Sequence, residues 1–420
     1  MTAQSNSPDD RNNEAPARQT DGGWLVPAVL VTCTGVSILS TDLYLPSLPH
    51  LPELLDSNTA TVQLTLSLNL AAFSLAQLLH GPLSDRIGRR RLLLIGLVGF
   101  CLASLVCAFA NSIGMLLAGR IGQGLTASVG SVVILLTIRD LYADSKAMQV
   151  LAIYGLALGL VPAVGPLLGG YIFIWLGWQA NFLLLAVAIV LVFVLVYRVV
   201  PETGRRNPLA LRPGHMAASY LALLTNRRYL RYFVPLSLSF GALFAFLTEG
   251  PFLLIERLGV ATEHYGYYHA IVVAGFILGS LIVGRLARRI TPETFVRLGL
   301  TAGCLGGLTL LIPVLLGHTG LIALMSGMSL YAVSLGFLMA SGPICLLETV
   351  RHAPQGPASA LIGSAQMAAG SLAGLLVAMT HDGSGLPMTA TMGAFLTLAV
   401  LAYVALSPGR SGKRVHPVEM

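Results

Sequence analysis

The chain has 420 residues, of which 55% are hydrophobic and only 10% charged, and its mean hydropathy is +0.78. Soluble domains carry about 25% charged residues, so there is too little polar side chain to cover this apolar surface in water, and lipid must cover it. The net charge of +7 would suit a nucleic-acid partner, but the basic residues fall in short clusters between apolar runs and not on one face. That pattern excludes a nucleic-acid binder and fits loops facing an anionic membrane leaflet.

Residues 1–22 are polar and rich in Pro, Asn and Asp, and are expected to form a disordered tail. The apolar run after them is too long for the core of a secretory signal peptide. A bilayer crossing needs roughly 20 apolar residues. Such segments lie near residues 24–46, 61–80, 92–110, 115–137, 147–173 and 179–199. A second set lies near 230–254, 267–287, 294–316, 320–346, 358–380 and 386–407. They are expected to be helices, because any other isolated backbone leaves polar groups unsatisfied in hydrocarbon. The expected fold is therefore an all-α integral membrane protein with twelve transmembrane helices.

All of the 25 basic residues except Arg120 and Arg257 fall at one end of these spans or in the tails. The densest cluster is GPLSDRIGRRR at 81–91, between the second and third spans. Arg and Lys gather in cytoplasmic loops, which places both termini in the cytoplasm. The longest connection divides the chain into a six-helix bundle at 23–200, a cytoplasmic linker at 201–228, a second bundle at 229–407 and a tail at 408–420. An internal repeat supports the division. STDLYLP around Asp42 is echoed by LTEGPFL around Glu249, and GPLSDRI at 81–87 by GRLARRI at 284–290. Two related bundles with a site between them are the pattern of secondary transporters.

Three motifs carry a resemblance to the major facilitator superfamily, and within it to the Bcr/CflA-like drug:proton antiporters. The first is GPLSDRIGRRR, with Gly81, Asp85, Arg86, Gly88 and Arg89. The second is LLAGRIGQG in the fourth span, with Arg120, Gln123 and Gly124. The third is GLALGLVPAVGPLLGG in the fifth, with Gly155, Gly159, Pro162, Gly165, Pro166, Gly169 and Gly170. STDLYLPSLP in the first span is similar to the form in bicyclomycin and chloramphenicol exporters. The resemblance implies two pseudo-symmetric six-helix bundles in a bacterial inner membrane, acting as a monomer. It implies proton-coupled efflux of small amphipathic toxic compounds such as antibiotics, driven by the proton gradient with no cofactor. Proton-coupled uptake of a metabolite such as a nucleoside is the alternative on the same fold. A membrane sensor or channel is a further rival. Two departures stand out: Arg288 replaces the loop carboxylate in the second half, and the tenth span has no match for Arg120.

Carboxylates in spans are costly and usually mark ion or proton paths. Asp42 is the first candidate for proton coupling, against a role only in capping the first span. Glu249 precedes Gly250-Pro251, where a broken helix is expected; it either binds protons, attracts cationic drugs or faces outer water near Glu256. A buried guanidinium needs a partner, so Arg120 either joins the coupling or pairs structurally with neighbours such as Gln123. Asp85 and its arginines are expected to latch the halves at the cytoplasmic side in one state and release in another. The fifth-span glycines are expected to form a tight seam, with Pro162 and Pro166 loosening the helix. Tyr44, Gln123, Tyr154 and Phe244 are candidate cavity residues, while Phe73, Phe240, Phe246, Tyr268, Tyr331 and Phe337 either line the cavity or pack. His80 and His269 read as packing histidines, and Trp24, Trp175 and Trp178 as interface anchors. The five cysteines read as small buried hydrophobes. No GxxxxGK[ST] run, hydrolytic triad or metal-ligand spacing is present, so neither ATP-driven export nor an enzyme is indicated.

Overall fold

The structure is a computed structural model that describes residues 23–142, 144–204, 213–318, 320–351 and 355–407. The tails at 1–22 and 408–420 and the linker arginines Arg205, Arg206 and Arg212 lie outside these residues. Twelve helices among the described residues are long and apolar enough to cross a bilayer. They are α1 (Leu25–Asp42), α2 (Thr59–Ile87), α3 (Arg89–Ala108), α4 (Ile113–Leu141), α5 (Asp144–Leu176) and α6 (Trp178–Val199). The second set is α7 (Arg227–Pro251), α8 (Tyr265–Leu286), α9 (Pro292–Leu315), α10 (Leu321–Glu348), α11 (Gln355–Thr380) and α12 (Leu386–Ala405). A short helix, Pro213–Leu224, precedes α7.

Local chemistry sets the ends. Asn58, Ser112, Asn226 and Thr291 each accept a backbone N–H of the first turn of α2, α4, α7 and α9, satisfying donors that a helix start leaves open. After α1, Pro46 and Pro49 lack the N–H an α-helix requires, and the chain tightens into a 3-10 turn at Leu45–His50. Large apolar side chains such as Leu156, Trp175, Leu176, Ile322 and Met379 face outward, where hydrocarbon is their natural solvent.

The GPLSDRI motif is helix rather than loop. α2 continues through Pro82 to Ile87, and α3 begins at Arg89. Gly88 alone makes the turn, at φ +102°, a conformation that a side chain disfavours. Its counterpart in the second half needs a longer turn at Ala287–Ile290 with no such glycine. α7 is also not broken at Gly250-Pro251. It passes through both residues and changes pitch into a π-helical turn at Phe252–Arg257. α5 likewise runs through Pro162 and Pro166.

Across the seam between the halves, α2 packs on α11 and α5 on α8, while the 3-10 turn meets α7 and the segments flanking it. The two ends of the molecule differ. The arginine end carries Gly88 with its arginines; the far end carries Asp42, His50 and Glu249. Hydrogen bonds join the halves from the far end to mid-depth. His50 Nε2 lies 2.9 Å from Thr262 Oγ1, Ser371 donates to the Ser67 carbonyl at 2.8 Å, and the Ser74 and Ser364 hydroxyls meet at 3.0 Å. The seam is thus closed at the far end.

Candidate transport site

Asp42 is the last residue of α1 and only 5% exposed. It is buried because α5 offers no side chains where α1 ends. A Cβ on Gly165 would come within 2.8 Å of the Asp42 Cβ, and one on Gly169 would collide with the Leu43 carbonyl oxygen. Small residues of this kind let helix backbones approach in lipid. The next residue, Gly170, leaves room for Thr262 and Glu263 of the second half. Gly159 faces Ile277 of α8 at ordinary contact distance, and Gly155 faces open space. Gly165 and Gly169 therefore seat α5 on α1 within the first half, and Gly170 seats it at the seam.

Arg120, on α4, is fully buried. Its Nη1 donates to the Ser40 carbonyl at 2.8 Å and to Gln123 Oε1 at 2.7 Å, and its guanidinium carbon stands 4.6 Å from the centre of the Tyr44 ring. Gln123 is tied in turn to Ser104 Oγ at 2.9 Å, and the Tyr44 hydroxyl to Thr65. Asp42 lies two residues beyond the Ser40 carbonyl that Arg120 holds, yet among the described residues no salt bridge joins Arg120 to it. Arg120 Nε and Nη2 have no hydrogen-bond partner. A buried guanidinium held by a carbonyl, an amide and a ring face is only partly compensated, so this site can answer a change of charge nearby. The expected partner of Arg120 is therefore Gln123 together with α1.

Glu249, on α7, is 1% exposed. Its Oε2 accepts from Gln63 Nε2 at 2.6 Å, across the seam on α2, and lies 3.0 Å from His381 Nδ1 just after α11. Glu249 thus faces neighbouring protein rather than outer water. That hydrogen bond, with the nearby carboxylate charges, holds the His381 imidazole above its usual pKa against the opposing effect of burial. Sequence reading missed both partners. Gln63 belongs to a polar stripe on α2 with Ser67 and Ser74, all buried, and that stripe was the available signal. His381 had none, standing in a polar turn.

At the arginine end, Arg89 Nη1 meets Asp140 Oδ2 of α4 at 2.6 Å, and Arg89 Nη2 lies 3.9 Å from Asp85 Oδ1. Glu202, after α6, accepts the backbone N–H groups of Arg90 at 3.2 Å and Arg91 at 3.4 Å, an anion at a helix N-terminus. Its carboxylate also fills the space a Gly88 side chain would need. Arg86 is exposed, and Gly81 faces Val132 of α4. These contacts stay within the first half, so among the described residues the motif clips α2, α3, α4 and α6 together in this conformation. Arg90 stacks on Tyr197 as well.

Tyr44 and Phe244 are buried in one apolar cluster drawn from both halves, with Phe244 against Gly370. Gln123 is fully buried, and Tyr154 packs on the core of the first half. Phe246 and Tyr331 are fully buried, and the Tyr331 hydroxyl donates to the Ser239 carbonyl. His80 is held by Ser128, and His269 stacks with Phe246. Trp24 and Trp175 are exposed, but Trp178 is buried edge-on against Phe182. Its place at the first turn of α6, directed inward, makes it a core residue and not an interface anchor. Cys33, Cys107 and Cys345 are buried, whereas Cys101 and Cys304 are only partly so.

The Major Facilitator Superfamily model matches residues 30–377. The chain is 31% identical over 373 residues to the bicyclomycin resistance protein homolog of Haemophilus influenzae, spanning 87% of this chain and 92% of that one. It is 28% identical over 384 residues to the chloramphenicol resistance protein of Pseudomonas aeruginosa, spanning 90% of each. Its fold is similar to that of the xylose transporter XylE from E. coli in a partially occluded inward open conformation, with a TM-score of 0.71 at 17% identity. That likeness covers 93% of this chain and 99% of the other.

Proposed function

The chain belongs to the major facilitator superfamily of multi-pass membrane transporters, and from that premise we propose that it exports small amphipathic toxic compounds, antibiotics among them, in exchange for protons. The names of its resistance-protein relatives support the cargo class. In this reading the protein works as a monomer in a bacterial inner membrane, with the arginine end and both termini in the cytoplasm, as the positive-inside rule favours. The far end is then external, and the structure is a state shut to the outside.

The observation that carries the proton coupling is the placement of Asp42 and Arg120: both are buried, and Arg120 Nη1 donates to the carbonyl of Ser40, two residues before Asp42. A proton on Asp42 removes the negative charge that Arg120 feels. Because Arg120 holds the end of α1 through Ser40 and Tyr44, the change in charge is delivered to the segment that plugs the outer side. Drug and proton competing for this region would prevent uncoupled leakage. Tyr44, Gln123, Tyr154 and Phe244 are proposed to meet cargo once the seam opens, and Glu249 is proposed as a second proton-binding acid. The whole cycle is alternating access between two bundles, powered by the proton gradient.

The test uses inside-out vesicles with an acid interior. Adding a drug panel should dissipate the pH gradient in the parent protein and leave it intact in Asp42→Asn. A gradient that falls equally in both, or that falls only when a nucleoside is supplied inside the vesicle, would overturn the reading.

A further inference from the structure

Glu249 is the only group seen to hold side chains of both halves and a histidine at once among the described residues. Gln63 reaches it from the first bundle and His381 from the second. The carboxylate has almost no contact with solvent, while the His381 side chain keeps 19% of its surface exposed. The pair therefore has a buried member that bears on the seam and a reachable member that can exchange a proton with the far side.

The surrounding charges make this pair the local balance point. The π-helical turn brings Glu256 and Arg257, and Arg257 is engaged by the Gly383 carbonyl. The turn after α11 brings Asp382, whose carboxylate is occupied by Ser384. The first half brings His50, bonded to Thr262, and Glu53, which acts on Glu256. His381 is thus the cation that faces Glu249, amid Glu256 and Asp382.

We propose that Gln63, Glu249 and His381 form a pH-sensitive lock on the far end, held shut by the charged Glu249–His381 pair and weakened when His381 gives up its proton. The physical reason is the cost of a buried carboxylate without a counter-charge. With His381 protonated, Glu249 is compensated in the closed state and can hold Gln63 across the seam. With His381 neutral, closure buries an uncompensated anion, whereas opening returns it to water. The sign follows from the raised pKa of His381 in the closed state: closure is favoured fully below the ordinary histidine value near 6.5 and loses that support as pH rises through the raised value. The lock rests on the proposed orientation, in which the far end is external. It gives the exporter a pH response at the outer door that is set by the His381 proton and shares Glu249 with the proton coupling.

The experiment is double electron–electron resonance on the full chain in nanodiscs, in a cysteine-free background that still transports. Nitroxides sit at Asn111 and His318, both exposed, on the α3–α4 and α9–α10 turns of opposite halves. The long-distance to short-distance population ratio should rise with pH, by up to about tenfold per unit between the ordinary and raised His381 values. His381→Gln should abolish that rise, and Gln63→Leu should enlarge the long-distance population at every pH. Should His381→Gln fail to insert, Glu249→Gln tests the same pair and must also abolish it. A pH response unchanged in His381→Gln or in Glu249→Gln overturns the lock. Asp42→Asn separates the two readings: drug-driven proton flux surviving in that variant while the distance response stays intact would overturn the coupling and leave the lock standing.

Discussion

Gly165 lies directly against Asp42, so close that a methyl group on the glycine would approach the aspartate Cβ to 2.8 Å. The glycine that seats the fifth helix on the first and the acid that ends the first helix are therefore one packing unit. Any account of coupling in this protein has to move them together.

A side chain at this contact should separate them. Gly165→Val is expected to destabilise the protein by about 1–3 kcal/mol, the usual effect of overpacking, and to abolish drug export. Gly155→Ala, whose new methyl meets open space, should leave both unchanged. Thermal unfolding in detergent and drug susceptibility of expressing cells check the pair. Equal damage by both substitutions would mean that the glycine face matters as a whole and that the contact with Asp42 does not.

Arg120→Lys keeps the charge but loses the planar fork that serves Ser40 and Gln123 while lying on Tyr44. Drug-driven proton flux should fall at least about tenfold, as expected when a buried charged hydrogen bond worth about 1.5–3 kcal/mol is lost. Arg120→Ala should lose the flux entirely. Flux assays on equal amounts of reconstituted protein decide this, and full activity in the lysine variant would show that charge alone suffices.

The His381 proton should also be visible in stability. Its pKa is raised in the folded state by Glu249, so its contribution is fully present below about pH 6.5 and is lost as pH rises through the raised value. Over that window the parent should lose more thermal stability than His381→Gln. Melting curves from pH 5.5 to 9 measure it, and parallel pH profiles would show that the histidine contributes nothing.

At the arginine end, Gly88→Ala combines a positive φ with a collision against Glu202. The backbone part should cost about 1–3 kcal/mol. Glu202→Ala should recover only the collision, and also remove the anion that receives the first N–H groups of α3. A double-mutant cycle by thermal unfolding gives the coupling between the two positions. Strict additivity would mean that the carboxylate moves aside freely.

The twelve crossings, the arginine asymmetry and the presence of Asp42, Arg120 and the fifth-span glycines inside apolar runs were legible in the order of residues. Hydropathy is a local sum, so a run of apolar side chains specifies a span wherever it lies in the chain. A lone carboxylate or guanidinium inside such a run is conspicuous for the same reason. Three-dimensional packing decided which groups those charges meet. Gln63, Glu249 and His381 come from three separate helical hairpins, and Glu202 reaches Gly88 from beyond the sixth helix; no periodicity links positions so far apart. Packing also converted the expected loop at 81–87 into helix, because α4 and Glu202 support the turn at Gly88 from outside the segment. Local sequence specified which residues had to leave water, and the folded chain alone specified the partners that make their burial tolerable.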